Sequence, residues 1–320
     1  MRASRPDFIQ IDQISAEHLR AELSNGLQAA AAVVSPKYFY DALGSKLFAA
    51  ICELPEYYPT RTEAAIFAAN LQEIAASVGT GSTLIDLGAG DCAKAASLFS
   101  ALQPAQYVPV DISVDYLRDA VGQLQQRFPQ IHMTGLGMDF SSALHLPDVV
   151  QRGKRLFFYP GSSIGNFTPA EAVAFFQRLR AACDADGGLL IGVDLVKDHD
   201  ILQAAYDDKL GVTAAFNLNV LSHLNKLLGA NFDIRAWRHY SCFNPELSRI
   251  EMYLEARHEQ TVTWQGGERR FAQGERIHTE NSYKYTPYSF VELLVQAGMQ
   301  VMHTWSDPRS WFMLCHARAM

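Results

Sequence analysis

Hydrophobic and polar residues follow two alternating periodicities along the middle of the chain. Short, almost wholly apolar runs recur between longer stretches in which apolar residues appear every three or four positions. A short apolar run bounded by turn residues predicts a buried strand, and three-to-four spacing predicts an amphipathic helix. The predicted strands span residues 83–87, 107–110, 131–136, 154–159 and 188–193. This alternation indicates an α/β fold with a mostly parallel sheet and helices on both of its faces.

The flanking segments have different patterns. Helical spacing extends over residues 16–23, 39–52, 60–78 and 199–228, whereas residues 234–280 have the alternation and polar turns of β-strands. A helix at 287–297 and a strand pair at 300–306 and 310–317 close the chain. We therefore predict an α/β domain of residues 61–196 plus 284–320, and a second, α+β domain of residues 1–60 plus 197–283.

Composition excludes several classes of protein. The chain has 320 residues, enough for about two domains. Its net charge of −7, without a basic stripe, argues against a nucleic-acid partner. The five cysteines include no C-x-x-C pair, which favours a reducing compartment over disulfides or structural zinc. No apolar run suits a secretory signal or a membrane span. A cytoplasmic protein without a membrane partner is predicted.

A glycine turn follows the first predicted strand of the sheet. Asp86-Leu87-Gly88-Ala89-Gly90-Asp91 lies where the strand leads into a helix, and glycines there allow a ligand to approach the backbone closely. Asp111 ends the next strand, where a carboxylate can accept both hydroxyl groups of a ribose. The two features together predict an adenosine site at the mouth of the sheet.

Two cofactors compete for this site. Gly88, Gly90 and Ala93 fit the dinucleotide fingerprint, but a carboxylate at Asp91 would repel a pyrophosphate at the helix N-terminus. Carboxylates at Asp86, before the turn, and Asp139, after the third strand, instead suit S-adenosylmethionine. The closing strand pair also favours a methyltransferase. A dinucleotide enzyme and a turn that binds nothing stay open as alternatives.

Several segments resemble a known family, the histidine-specific Nα-methyltransferases of ergothioneine biosynthesis. They extend from about residue 37 to the C-terminus. The segments are Tyr38-Phe39-Tyr40-Asp41, Leu54-Pro55-Glu56-Tyr57-Tyr58-Pro59-Thr60-Arg61, Gly161-Ser162-Ser163-Ile164-Gly165-Asn166, Asp194-Leu195-Val196-Lys197-Asp198, Ala205-Tyr206-Asp207-Asp208, Gly211-Val212-Thr213-Ala214-Ala215-Phe216-Asn217 and His278-Thr279-Glu280-Asn281-Ser282-Tyr283-Lys284-Tyr285. The resemblance implies a class I, Rossmann-like S-adenosylmethionine-dependent fold with a substrate-binding second domain.

The resemblance also implies roles for individual residues on the substrate side. Tyr206 and Asn166 match residues that hold the substrate carboxylate. The imidazole would be bound by residues matching Glu280, Ser282 and Tyr57, with Tyr57 preferred to its neighbour Tyr58. A catalytic position near the α-amine matches Tyr40. The positions that match cofactor-binding residues are Gly88, Lys94, Asp111, Asp139 and Phe140.

The resulting functional prediction is an enzyme. It would trimethylate the α-amine of L-histidine with S-adenosylmethionine to form histidine betaine (hercynine), the first step of ergothioneine biosynthesis, as a monomer. One alternative is an N-methyltransferase for another amino acid or a modified histidine. Another is an oxidoreductase or a non-catalytic cofactor-binding module. No metal is expected, because His278 and Glu280, which would share a strand face, have no third ligand.

Overall fold

The computed structural model describes residues 6–11, 15–183 and 186–320. The helices of this part of the chain are α1 (Ala16–Gln28), α2 (Ala42–Cys52), α3 (Tyr58–Val78), α4 (Ala93–Leu102), α5 (Val114–Arg127), α6 (Pro169–Ala182), α7 (His199–Tyr206), α8 (Val212–Leu228) and α9 (Pro287–Gln296). Its strands are β1 (Asp7–Gln10), β2 (Ala32–Val33), β3 (Thr83–Leu87), β4 (Gln106–Asp111), β5 (His132–Gly137), β6 (Arg155–Tyr159), β7 (Gly188–Asp194), β8 (Trp237–Asn244), β9 (Arg249–Ala256), β10 (Gln260–Trp264), β11 (Gly267–Phe271), β12 (Arg276–Tyr283), β13 (Met299–Ser306) and β14 (Phe312–Ala319).

The chain divides into two compact units. The first unit contains the described residues of Met1–Gln13 together with Pro59–Val196 and Lys284–Met320. The second unit contains the described residues of Ile14–Tyr58 together with Lys197–Tyr283. Strand β1 belongs to the first unit because it pairs in parallel with β5. This differs from the expectation that all of residues 1–60 lie in the second domain.

An eight-stranded sheet forms the centre of the first unit. Its order is β1-β5-β4-β3-β6-β7-β14-β13, in which β14 is antiparallel to both β7 and β13. The predicted parallel sheet and closing antiparallel pair are therefore confirmed. Every residue of β3 and of β6 is buried, as expected for strands covered on both faces. Strand β3 pairs with β4 on one side and with β6 on the other, so the order in which the chain adds strands to the sheet reverses there. Ligands of α/β sheets bind at such a reversal point, beyond the carboxyl ends of the strands.

The second unit is built on a four-stranded sheet of order β2-β12-β9-β8, with α8 packed against β8 and β9. The prediction of one continuous helix over 199–228 was wrong, because α7 ends at Tyr206 and α8 begins at Val212. Asp208 accounts for the break. Its carboxylate accepts the N–H groups of Val212 at 3.0 Å and Thr213 at 2.7 Å, and Gly211 adopts a left-handed φ of +75°.

A β-bulge interrupts strand β12. His278 pairs with Tyr253 and Glu280 pairs with Met252, so Thr279 is an extra residue in the strand. The bulge changes the alternation of side chains along β12. Ile277, before the bulge, is buried, and the hydroxyl of Thr279 donates to Asn217 on α8. His278 instead faces away and bonds Asn281 at 2.9 Å. The expectation that His278 and Glu280 share one face was therefore wrong.

Candidate functional site

The glycine turn after β3 is closed by hydrogen bonds to β4. The N–H groups of Gly88 and Ala89 both donate to the carbonyl oxygen of Val110, at 2.8 and 3.1 Å. Gly88 has a φ of +71°, a conformation that favours glycine. A Cβ atom at Gly88 would lie 3.8 Å from Cζ of Phe140, so the phenyl ring lies against the exposed backbone of the turn. The turn thus presents bare main chain beside an aromatic ring.

Asp111 is held at the end of β4 by two main-chain donors. Its Oδ2 accepts the N–H of Gly90 at 3.0 Å, and its Oδ1 accepts the N–H of Ser113 at 2.9 Å. A carboxylate oxygen has two lone pairs, so each oxygen keeps the capacity to accept another hydrogen bond. These two acceptor oxygens fit a ribose with two hydroxyl groups. Asp139 lies in the loop after β5, and its Oδ1 accepts the N–H of Ser141 at 3.1 Å.

Asp86, one of the two carboxylates whose positions suit S-adenosylmethionine, lies inside the protein. It is 2% exposed, and the hydroxyl of Tyr107 donates to its Oδ2 at 2.7 Å. Burial raises the pKa of its carboxyl to about 7, although the Tyr107 hydrogen bond opposes this. Asp86 is therefore a buried partner of Tyr107, and its carboxyl is less acidic than one exposed to water.

Two buried hydroxyl groups form the centre of a polar cluster in the second unit. The Tyr206 hydroxyl lies 2.7 Å from Oγ of Ser282, and both side chains are buried. The ring of Tyr57 meets the ring of Tyr206 edge-on, with centroids 6.3 Å apart. Burial raises the pKa of Tyr57 well above its usual value, and the neighbouring ionisable groups of Tyr206, Tyr40 and Glu280 raise it further. Five predicted residues of the second unit thus lie together.

Aromatic rings surround this cluster. The ring of Phe48 lies 5.7 Å from Tyr40 and 6.1 Å from Tyr57, and Phe216 lies 5.9 Å from Tyr40. Sequence reasoning did not select the two phenylalanines, although Phe216 falls within a matched segment. Tyr58 has a different role, since the ammonium of Lys197 donates to its hydroxyl at 2.7 Å.

Asn166 belongs to the first unit. It is the last residue of a 3₁₀ turn, Ser163–Asn166, that follows β6, and its side chain is half-buried. The turn is tied to the sheet through Ser162, whose Oγ accepts the N–H of Asp194 at 2.9 Å. Its position after β6 places it at the same edge of the sheet as the glycine turn.

Comparison with known proteins decides the family. A family model described as "Histidine-specific methyltransferase, SAM-dependent" matches residues 19–319. The chain belongs to this family. A histidine N-alpha-methyltransferase of Mycolicibacterium smegmatis is 41% identical over 98% of both chains. One from Mycobacterium tuberculosis is 38% identical over 90% of this chain and 91% of that protein. Ergothioneine biosynthesis protein 1 of Neurospora crassa is 27% identical over 95% of this chain and 36% of that protein.

Membership in the family confirms the prediction of a methyltransferase that uses S-adenosylmethionine, with a class I Rossmann-like fold. The dinucleotide alternative for the glycine turn was therefore wrong. The geometry fits the cofactor: bare main chain at Gly88 lies beside the ring of Phe140, and Asp111 keeps acceptors for a ribose. Among the described residues, no group of three or more His, Cys, Asp or Glu side chains could hold a metal ion. No described helix is long and apolar enough to cross a membrane.

Lys94, the remaining cofactor candidate, is held by a glutamate that sequence reasoning missed. Its ammonium lies 2.6 Å from Oε2 of Glu63, whose side chain is 1% exposed. The other oxygen of Glu63 accepts the N–H of Gly161 at 2.7 Å. Because Lys94 stays 40% exposed, its ammonium is accessible to a carboxylate such as that of the methionine part of the cofactor. Nothing in the pattern of α3 marks Glu63, since its partners lie far away in sequence.

Replacing Glu63 with glutamine is expected to weaken cofactor binding by about tenfold, because the lost charge releases Lys94. Titration calorimetry with S-adenosylhomocysteine measures the affinity. Glu73→Gln on the same helix is the matched control, because Glu73 accepts a hydrogen bond from the neutral indole of Trp305. Equal affinities in the two variants would contradict a role for Glu63 in placing Lys94.

Proposed function

We propose that this enzyme transfers methyl groups from S-adenosylmethionine to the α-amine of L-histidine, forming hercynine in the first step of ergothioneine biosynthesis. The observation that carries the proposal is the buried Tyr206–Ser282 pair beside Tyr57 and Glu280. Family membership and relatives named as histidine N-alpha-methyltransferases support it. The Neurospora protein named for ergothioneine biosynthesis supports the pathway.

The polar cluster suits an imidazole. A neutral imidazole has one N–H donor and one acceptor nitrogen. In the proposal, the Glu280 carboxylate accepts the N–H and the Ser282 hydroxyl donates to the other nitrogen, with Tyr57 beside the ring. A site built to hydrogen-bond a polar ring rejects analogues without those groups, because its own buried groups would be left unpaired. This argues for histidine over amino acids with a phenol or a hydrocarbon ring.

The substrate carboxylate is assigned to two neutral donors. Tyr206 has a hydroxyl group that can donate to a carboxylate, and its side chain is 8% exposed. Asn166 is proposed for the same carboxylate on the strength of its matched segment. Both would bind every α-amino acid alike, so selectivity would come from the groups around the imidazole.

The remaining steps concern the α-amine. When bound, S-adenosylmethionine supplies an electrophilic methyl group on a sulfonium. A free α-amine has a pKa of roughly 8, so part of it is already neutral, and positioning supplies much of the rate. Tyr40 is proposed to orient this amine. The rings of Tyr40, Phe48 and Phe216 can accommodate a growing ammonium through cation–π contacts. Three successive methylations are therefore compatible with the cluster.

Mass spectrometry tests the proposed function. The protein is incubated with S-adenosylmethionine and a mixture of the common amino acids and histamine. Three methyl increments on histidine alone are expected. Methylation of another amine would keep the fold and cofactor but overturn the assignment of Glu280 and Ser282.

We further propose a cytoplasmic monomer that binds neither nucleic acid nor membrane. Light scattering of the purified protein tests the monomer.

A further inference from the structure

Asn217 and His239 form a buried hydrogen-bonded link behind Tyr206. Nδ2 of Asn217 lies 2.9 Å from Nδ1 of His239, and Nε2 of His239 lies 2.9 Å from the carbonyl oxygen of Tyr206. Asn217 is fully buried on α8, and His239 lies on β8. The link therefore joins two elements of the second unit to the last residue of α7, whose hydroxyl meets Ser282.

The partners of Asn217 determine the direction of every bond in this link. Its Nδ2 also donates to the carbonyl oxygen of Tyr253 at 2.9 Å, and its Oδ1 accepts the hydroxyl of Thr279 at 2.9 Å. A carbonyl can only accept, so the amide nitrogen must point toward Tyr253 and His239. Nδ1 of His239 is then an acceptor, and Nε2 carries the proton that it donates to Tyr206. Every polar atom of the link is satisfied by one tautomer of a neutral imidazole.

The surroundings of His239 favour that neutral form. Burial lowers the pKa of its imidazole, and the opposing effects come from its bond to the Tyr206 carbonyl and from the carboxylates of Asp207 and Asp208. A second proton, on Nδ1, would point at the amide nitrogen of Asn217, which is also a donor. The hydrogen bonds of the link can therefore form in one direction only, from Asn217 to His239 and from His239 to the Tyr206 carbonyl.

The same asparagine also holds the bulge in β12. Thr279, the extra residue of the strand, donates to Asn217 and also lies 3.1 Å from the carbonyl oxygen of Met252. Glu280 follows directly, and Ser282 lies two residues further on. One side chain on α8 therefore contacts the segment of Glu280 and Ser282 directly and reaches Tyr206 through His239.

We propose that Asn217 and His239 are positioning residues for substrate binding. They hold the main chain of Tyr206 and the bulge before Glu280, so that the Tyr206 hydroxyl, Ser282 and Glu280 keep a common geometry. Neither residue touches the substrate. This inference rests on the proposed function, in which Tyr206 binds the histidine carboxylate.

A matched pair of variants at His239 tests the direction of the link. The amide nitrogen of a glutamine extends about as far as Nε2 and can still donate to the Tyr206 carbonyl, whereas an asparagine reaches only the position of Nδ1. We expect His239→Asn to raise the KM for histidine about tenfold, the effect of one lost hydrogen bond, while the KM for S-adenosylmethionine is unchanged. His239→Gln is expected to recover most of the histidine affinity. Equal KM values in the two variants would overturn the proposal.

A double-mutant cycle with Tyr206→Phe separates this inference from the proposed function. If His239 acts through the Tyr206 hydroxyl, His239→Asn should raise the KM far less in the Tyr206→Phe background. Additive effects would refute the positioning role. An unchanged KM in Tyr206→Phe alone would instead refute the proposed role of Tyr206.

Nitrogen NMR of the wild-type protein gives a test that needs no variant kinetics. The ring nitrogens of His239, assigned with the help of His239→Gln, should show a neutral imidazole protonated at Nε2. A ring protonated at Nδ1 would overturn the proposal.

Discussion

Replacing Glu280 with alanine is expected to raise the KM for L-histidine about 100-fold, the size of a lost hydrogen bond to a charged group in a protected site. The carboxylate lies close enough to raise the pKa of the buried Tyr57 phenol, which places it at the polar cluster. The KM for S-adenosylmethionine should stay unchanged, because the cofactor candidates all lie in the first unit. Steady-state kinetics with each substrate varied in turn measures both constants.

Selectivity gives a second readout for Glu280→Ala. If the carboxylate recognises the imidazole N–H, the preference for histidine over phenylalanine in kcat/KM should fall together with the histidine affinity. Glu259→Ala is the control, because Glu259 forms an exposed ion pair with Arg270 in the same unit. Such pairs contribute little, so that variant should behave like the wild type. Unchanged histidine kinetics in Glu280→Ala would remove Glu280 from the site.

Replacing Asp111 with alanine is expected to weaken S-adenosylhomocysteine binding about 100-fold, since a charged acceptor is lost. Two effects contribute. The ribose loses its proposed partner, and the N–H groups of Gly90 and Ser113 lose the carboxylate that orders the turn. Calorimetry measures the affinity, and melting curves show whether the variant folds. Asp119→Ala, at an exposed position of α5, is the control. Affinities within about twofold of each other in the two variants would contradict the assignment of Asp111.

The sheet of the first unit could be predicted because its strands are almost wholly buried, so each appears as a short apolar run. Strand β1 escaped prediction because it has only four residues, is half-exposed and lies at the sheet edge. The end of α7 was missed for another reason. Asp208 and Gly211 interrupt a stretch whose apolar spacing is helical on both sides, and the interruption is produced by side-chain capping rather than by a change of pattern.

The candidate site was reached from the sequence through matched segments, and the structure brings five of its residues together in the second unit. Glu63, Asn217 and His239 were not found, because what distinguishes them is a hydrogen bond to a distant partner. Asn217 accepts a hydrogen bond from Thr279, and Glu63 accepts hydrogen bonds from the ammonium of Lys94 and the N–H of Gly161. Local periodicity contains no information about such pairs. The bulge at Thr279 was missed for the same reason, since only the pairing with β9 reveals it.

The bulge in β12 has a consequence for how this protein can change during evolution. Ile277 before it lies in the core, whereas Glu280 and Ser282 after it are proposed for histidine binding, so the bulge separates two parts of the strand under different constraints. Deleting the single residue Thr279 would restore regular alternation, with Glu280 directly after His278 and still opposite Met252, so Glu280 and Ser282 would keep their face. What the deletion would remove is the Thr279 hydroxyl that donates to Asn217, so the faces of the strand would survive it and the bond to α8 would not.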